Sequence, residues 1–476
     1  MQGLFMEQLG VMNLSAALKA KGHSCRLALG SDKEILKAAR DWRPDMVGVT
    51  VLTGFQQRWI RLARLLKSSL DPVPLVVFGG PHATFFPEVV LSDGVDIACR
   101  GEGERAIVEL ADAVDKGIPH EDTTGILSTI PNLCFRNPVG ATYMSPLRVN
   151  AMRPLEVLDE LPFPDRELSF TYPFIRRDPN VHFMVGRGCP YSCSFCFNRQ
   201  MREMCKDLGP AVRFRSISNV IEEIKEVRRR WGIRVAYFQD DTFVLSPTWL
   251  FSFLERYSLE IRLPLYCTVR ADLVTKEMAE ALKEAGCYRV SFGVESGVER
   301  IRNEVLDKRV RDEEIRRAAK ILTRAGITFQ TTNMMGLPGE RLEDAFRTLE
   351  LNIAIGADIA WTSLYQPYPG TSLGQHALDR GIVDKLPDDE RIADAHTSSI
   401  MNQPDIKEIE RLQKLSYLAV KLPRLMPLVR KLVHKDKPRL YYWIHRITYL
   451  LFYFRKITKM SFKRTLEEAW TAWKYY

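Results

Sequence analysis

The sequence predicts an α/β protein. A doubly wound, Rossmann-like front domain is followed by a partial (β/α)6 barrel of the TIM type and a helical C-terminal extension. Three observations predict it. Two separate series of short apolar runs alternate with amphipathic helical stretches, a Pro-rich interval divides the two series, and the strand pattern stops after about residue 375.

Residues 1–125 form the first series. MQGLFMEQLGVMNLSAAL reads as a short amphipathic helix, and FQQRWIRLARLLKSSL (55–70) as another. Candidate strands are 24–30, 45–52, 75–80 and 96–101. Doubly wound folds normally begin with a strand, yet this chain opens in a helix, so a first strand is expected to be missing through a truncated or misassigned start. Residues 126–175 are rich in proline and turn residues and read as a small hairpin and a linker. Over 176–375 six strand-like runs recur with helices between them: VHFMVG (181–186), RVAYFQDD (234–241), LYCTVR (265–270), YRVSFGVES (288–296), TFQTTNMMG (328–336) and IAWTSLYQPYPG (359–370). In a parallel barrel, chemistry sits at the C-terminal strand ends. Residues 376–476 are basic, aromatic and helical in pattern.

The chain has 476 residues, 46% apolar and 27% charged, which is ordinary for a globular protein. No secretion signal is visible, because the first basic residue is Lys19. Nine loosely spaced cysteines make no disulfide framework and point to a reducing, cytoplasmic setting. The net charge of +9 is uneven: residues 406–476 hold 17 Lys+Arg against 5 Asp+Glu, and the remainder 51 against 54. A basic tail on a slightly acidic body argues against nucleic acid as the general partner.

One stretch stands out. GRGCPYSCSFCFN (186–198) puts Cys189, Cys193 and Cys196 on one short loop directly after the first barrel strand. The spacing C-x3-C-x2-C lets a single loop wrap a cube of iron and sulfide, and soft thiolates suit such clusters. Clusters usually take four thiolates, so three leave one iron open. A closed zinc site is the alternative and would need His182 or Cys205 as a fourth ligand.

This loop, with Phe195 as its aromatic, resembles that of the radical S-adenosylmethionine enzymes, and the resemblance covers about residues 176–375. It implies a [4Fe–4S] cluster whose open iron is chelated by S-adenosylmethionine, whose S–C5′ bond is then cleaved to give a 5′-deoxyadenosyl radical. It also gives roles to other strand ends. Asp240 or Asp241 would accept hydrogen bonds from the methionyl ammonium. Glu295, in FGVESG, would accept from the ribose hydroxyls. Gly336 and Pro338, in MMGLPGE, match a motif where backbone approaches adenine. Arg270 would face the cofactor carboxylate or pair with Asp272. A radical needs a closed, dry barrel.

In the front domain, Thr50-Val51-Leu52 is followed after 26 residues by Gly79-Gly80 in FGGPHATFFPE, with CRGEGE at the next strand. This resembles the cobalamin-binding domain found ahead of many radical S-adenosylmethionine enzymes, in which a small hydroxyl reaches the nucleotide tail and glycines let it thread against the sheet. FMEQLG stands where that domain's axial-histidine loop would lie, so the resemblance implies cobalamin bound without a protein imidazole, and His82 is a wall residue. Together these features imply methylation of an unactivated carbon of a small-molecule substrate, with an electron donor such as flavodoxin or ferredoxin. A cobalamin-dependent cyclase or rearranging enzyme is the alternative. A non-catalytic iron–sulfur carrier would want a fourth cysteine ligand and no Glu295.

The stretch 423–460 interleaves aromatic and apolar residues with Lys and Arg. Its charge-free run Ile447–Phe454 is too short to span a bilayer, which takes about 20 apolar residues. Such a helix can lie on the inner membrane surface, which would bring a lipid or isoprenoid-like substrate with it, or it can pack on the barrel as a lid.

Overall fold

The computed structural model describes residues 7–117, 124–137, 145–178, 180–385 and 398–448. The chain divides into two compact units, residues 1–177 with 205–210 and 388–393, and residues 178–204, 211–387 and 394–476.

In the front unit three parallel strands, β1 (Met46–Thr50), β2 (Leu75–Gly79) and β3 (Ile97–Cys99), are continued by two antiparallel ones, β4 (Leu133–Arg136) and β5 (Leu147–Val149), in the order β1-β2-β3-β4-β5. The hairpin expected between the domains therefore extends the front sheet. Both faces of β2 are buried: Val76 and Phe78 pack with Ile60 and Ala63, and Leu75 and Val77 with Leu110 and Phe135. The opening helix is Leu9–Lys19.

One expected strand fails. Residues 24–30 run without strand pairing. β1 remains the sheet edge, with Gly48 and Thr50 exposed, and 24–30 does not pair along it. Its backbone is satisfied by side chains instead. The Leu29 N–H donates to Tyr172 Oη (3.0 Å), the Tyr172 hydroxyl donates to the Leu27 carbonyl (2.9 Å), and Arg58 donates to the Gly30 carbonyl (3.0 Å).

In the second unit β6 (Asn180–Phe183) is followed by a two-residue antiparallel pair, β7 (Gly186–Arg187) and β8 (Arg213–Phe214). Then come β9 (Val235–Phe238), β10 (Leu265–Thr268), β11 (Cys287–Glu295), β12 (Thr328–Met335) and β13 (Ile359–Leu364). The six long strands are parallel and adjacent in chain order, the partial barrel expected. Alternate side chains separate its two faces. On the outer face Phe238 meets Phe253 and Tyr257 of helix Pro247–Glu260, and Phe292 stacks on Phe329. The inner face carries polar and aromatic groups at the intervening positions, among them Tyr237, Tyr266, Ser291, Gln330 and Thr332.

The free edge of β13 is covered by helix Ile406–Lys421. Gln413 Nε2 donates to the Thr362 carbonyl and Lys421 Nζ to the Ala357 carbonyl, both at 2.9 Å. Two short helices follow, Met426–Leu432 and Pro438–Thr448. The single tail helix expected over 423–460 is broken before Pro438, a residue suited to the first turn of a new helix. Its part beyond residue 448 lies outside the described residues. Among the described residues no helix is long and apolar enough to cross a membrane.

A buried polar relay joins β12 to helix Leu342–Ala354. Thr331 donates to Asn352 Oδ1 (2.5 Å), Asn352 Nδ2 donates to Asn333 Oδ1 (2.8 Å), and Asn333 Nδ2 donates to the Trp361 carbonyl (3.0 Å). Asn352→Leu removes the short acceptor of the Thr331 hydroxyl, which keeps Asn333 Nδ2 at 3.2 Å, and takes the Nδ2 donor from the Asn333 amide oxygen. A loss of about 2 kcal/mol in urea unfolding is expected, and an unchanged midpoint would show the relay to be inert.

Candidate functional site

The cysteine loop is shaped by glycine and held by other side chains. Gly188 has φ +92°, and a Cβ there would strike the Ala211 carbonyl; one at Gly186 would stand 2.6 Å from the Arg213 carbonyl. Arg202 reaches back from the next helix and donates to the carbonyls of Cys189 (2.8 Å) and Tyr191 (2.5 Å) and to Ser192 Oγ (2.7 Å). The Ser194 hydroxyl donates to the Val305 carbonyl (2.7 Å) and its N–H to the Leu306 carbonyl (2.9 Å), while its own carbonyl accepts from the Leu373 N–H (2.9 Å). Phe195 packs with Leu306, Leu337, Tyr365 and Leu373.

Cys189, Cys193 and Cys196 are half-buried and in no disulfide. Burial pushes all three thiols up, Cys196 to about 11; neighbouring thiols and Asp241 add to the rise at Cys189 and Cys196, while Lys308 and Arg270 oppose it at Cys193. Three soft donors whose ionisation opposes itself fit a polycationic iron–sulfur core, which would take them as thiolates. Among the described residues no three His, Cys, Asp or Glu side chains could hold a single metal ion. The fourth ligands considered for zinc are engaged elsewhere: His182 lies edge-on to Tyr237 at 5.2 Å, and Cys205 is buried in the front unit.

The strand ends around the loop divide the acidic pair after β9. Asp240 is buried, and its carboxylate accepts the N–H groups of Val185 (3.0 Å) and Gly186 (2.7 Å), stapling the start of the loop. Burial pushes its carboxyl up to about 7. Asp241 is exposed and accepts from Asn198 Nδ2 (3.1 Å), with its charge felt at Cys189 and Cys196.

Glu295 ends β11 in the left-handed region, at φ +63°, and the pairing with β12 slips by a residue there. Its Oε1 accepts from Lys308 Nζ (2.8 Å), and a Cβ on Gly293 would collide with that carboxylate. Lys308 is itself buried between two more left-handed residues, Asp307 (φ +45°) and Arg309 (φ +55°). Arg270 pairs with Asp272 (3.0 and 3.2 Å), donates to the Lys308 carbonyl (3.0 Å) and stacks over Tyr191, 3.5 Å from the ring centre. Gly336 turns at φ +76°, and Pro338 is buried. The carboxylate of Glu340 accepts from the N–H of Gly336 (2.5 Å) and of Leu337 (3.1 Å). Lys308 and Arg202 had no sequence signal of their own, since neither lies in a periodic run or beside the cysteines; Glu340 closes the MMGLPGE motif, but its role as an acceptor did not show in the letters.

In the front unit the carboxyl ends of β1 and β2 carry the other cluster of residues. Gly80 has φ +84°, and a Cβ on it would come within 2.7 Å of Thr50 Oγ1; around Gly79 the same position is open space. Thr50 and Leu52 are exposed. An open glycine cradle at strand ends, beside a small hydroxyl, fits the tail of a cobalamin. His82 turns inward. It is buried, its Nδ1 lies 3.2 Å from Thr53 Oγ1, its ring packs 5.1 Å from Phe86, and burial lowers its pKa to about 4, so the imidazole is neutral.

Two outcomes test this geometry. Changing Cys189, Cys193 or Cys196 to Ala is expected to remove most of the iron from anaerobically reconstituted protein, while Cys205→Ala retains it; equal iron in all four would sink the assignment. The raised Asp240 carboxyl favours folding in its protonated form. Its contribution is therefore full below the ordinary 3.8 and is lost as pH rises through about 7. In thermal melts of the metal-free chain, the wild type is expected to lose ground against Asp240→Asn between pH 4 and 7 and to run parallel above 8.

Both clusters of residues lie within segments that match known families. Residues 183–351 match the radical SAM superfamily, and residues 3–111 match the B12 binding domain. An uncharacterised methyltransferase of Pyrococcus horikoshii is 30% identical over 359 residues, 74% of this chain and 73% of the relative. The hopanoid C-3 methylase of Methylococcus capsulatus is 27% identical, over 77% of this chain and 68% of its own length. The solved structure of the radical S-adenosylmethionine methyltransferase TsrM from Kitasatospora setae, with cobalamin and a [4Fe-4S] cluster bound, shares the fold at a TM-score of 0.60 and 22% identity, covering 78% of this chain and 72% of that one. The chain belongs to the radical SAM superfamily, with a B12 binding domain ahead of its radical SAM domain.

Proposed function

We propose that this enzyme methylates a carbon atom of a small-molecule substrate, and that the substrate is lipid-like. The family's cofactors are a [4Fe–4S] cluster, S-adenosylmethionine and cobalamin; when bound, they supply a one-electron cleavage of the sulfonium and a methyl carrier. The observation that carries the reading is the pairing of two cradles in one chain, three clustered thiols at the barrel mouth and an open glycine turn in the B12 binding domain.

The protein's own groups take these parts. Cys189, Cys193 and Cys196 hold the cluster. Asp241 is the carboxylate for the methionyl ammonium, because Asp240 is committed to the Val185 and Gly186 N–H groups. Glu295 receives the ribose hydroxyls, with Lys308 fixing its orientation. The backbone of Gly336 to Gly339, pinned by Glu340, borders the adenine. Thr50, Leu52, Gly79 and Gly80 receive the cobalamin, and His82 supports the turn from behind through Thr53. An acidic or flavin-type electron carrier supplies the electron.

The lipid-like substrate is supported by the similarity to the hopanoid methylase and by the apolar outer side of the C-terminal helices. Anaerobic turnover with a chemical reductant tests the reaction class. Both 5′-deoxyadenosine and S-adenosylhomocysteine are expected. Deoxyadenosine alone would replace methyl transfer by cyclisation or rearrangement, and neither would end the reading. Glu295→Ala is expected to keep the cluster spectrum and raise the half-saturating S-adenosylmethionine concentration by about tenfold, the loss of roughly one charge-assisted contact.

A further inference from the structure

We propose that the outer face of helix Pro438–Thr448 docks on an anionic lipid bilayer. The helix is anchored from one side only. Tyr441 is buried in the apolar cluster that also holds Leu412 and Leu415, and its hydroxyl lies 2.6 Å from both the Leu432 and Lys435 carbonyls. The other side is apolar and faces solvent. Leu440, Trp443 and Ile447 stand at i, i+3 and i+7, 45%, 58% and 50% exposed. Tyr442 adjoins Trp443 edge-on at 5.6 Å. Six of the fifteen large apolar side chains left exposed among the described residues fall between Leu422 and Ile447, a concentration that scattered surface residues do not make.

The charge around this stripe selects the partner. Residues 422–448 contain seven Lys+Arg and one acidic residue, Asp436, which is paired with Arg411. Arg430 is neutralised by Glu343 and Glu350. Arg424, Lys431, Lys435, Lys437, Arg439 and Arg446 form no ion pair among the described residues, and Arg446 lies over the Tyr442 ring at 4.8 Å. A second copy of this face would set like charges together. So would residues 449–476, with six Lys+Arg against two Asp+Glu. RNA would use the cations and would leave Leu440 and Ile447 in water. An anionic bilayer satisfies both halves: Leu, Ile and Trp enter the headgroup boundary while the long cationic chains reach the phosphates. Eleven residues make a helix of about 16 Å, which lies on a bilayer and does not cross its hydrocarbon core of about 30 Å. The surface stands independently of which carbon the enzyme methylates.

The test uses the full chain, prepared anaerobically and floated with vesicles of phosphatidylcholine alone or of equal parts phosphatidylcholine and phosphatidylglycerol. Flotation is expected with the anionic vesicles, weakened by salt. The triple change Leu440→Ser, Trp443→Ser and Ile447→Ser is expected to lower the bound-to-free ratio by at least about tenfold. Separately, Lys435→Glu, Lys437→Glu and Arg439→Glu should abolish the preference for phosphatidylglycerol. Iron content and circular dichroism check that each variant is folded, and the charge variant stands alone should the serine variant not fold. Failure of the parent to float, or flotation untouched by either variant, overturns the proposal. So does binding to poly(U) but to neither vesicle. Light scattering that shows a dimer broken by the serine changes would assign the face to a second copy. A fall in melting temperature without vesicle binding would assign it to residues 449–476. 5′-Deoxyadenosine and S-adenosylhomocysteine are read in a separate assay, so the fate of methyl transfer does not decide this one.

Discussion

The gathering of three half-buried thiols on one loop is the constraint on which the rest depends. Burial makes each thiol resist ionisation, and neighbouring thiols raise Cys189 and Cys196 further. An untethered loop would be free to move them apart. Arg202, Ser194 and Asp240 prevent that by taking up carbonyls and N–H groups along the loop, so the sulfurs stay together whether or not their charges favour it. The glycines at 186 and 188 then let β7 and its partner strand close tightly beneath.

The same logic explains why strained backbone collects at one place. Glu295, Asp307 and Arg309 all adopt left-handed conformations that non-glycine residues avoid. Between them they bring a carboxylate and an ammonium together at 2.8 Å on the lip of the barrel, and Arg270 ties the same turn to the next strand. Ordinary strand and helix geometry would leave those two groups on separate elements.

Much of this was legible in the chain. The recurrence of apolar runs between helical stretches marked all six barrel strands, because parallel strands packed under helices on their outer face need Val, Ile, Phe or Leu at the alternate positions that meet those helices. The cysteine spacing and the glycine pairs were legible because each is a local demand on a few adjacent residues. The segment 24–30 does not form a strand although its composition is that of one, because its backbone groups are taken up by Tyr172 and Arg58 and not by the open edge of β1. Asp240 and Asp241 were indistinguishable as letters; only the position of the Val185 and Gly186 N–H groups separates them. Lys308 was invisible because its importance comes from contacts made across the fold, with Glu295 thirteen positions earlier and Arg270 thirty-eight.

Helix Ile406–Lys421 also bears on how the protein can be divided. It caps one carbonyl of β13 and one just before it, and sinks Ile409, Leu412 and Leu415 among Phe346, Leu349 and Leu364. A fragment ending at the last barrel strand would carry bare backbone acceptors beside an oily groove, the combination that drives insoluble self-assembly. The extension is thus an integral wall of the catalytic unit, and any excised version must keep it.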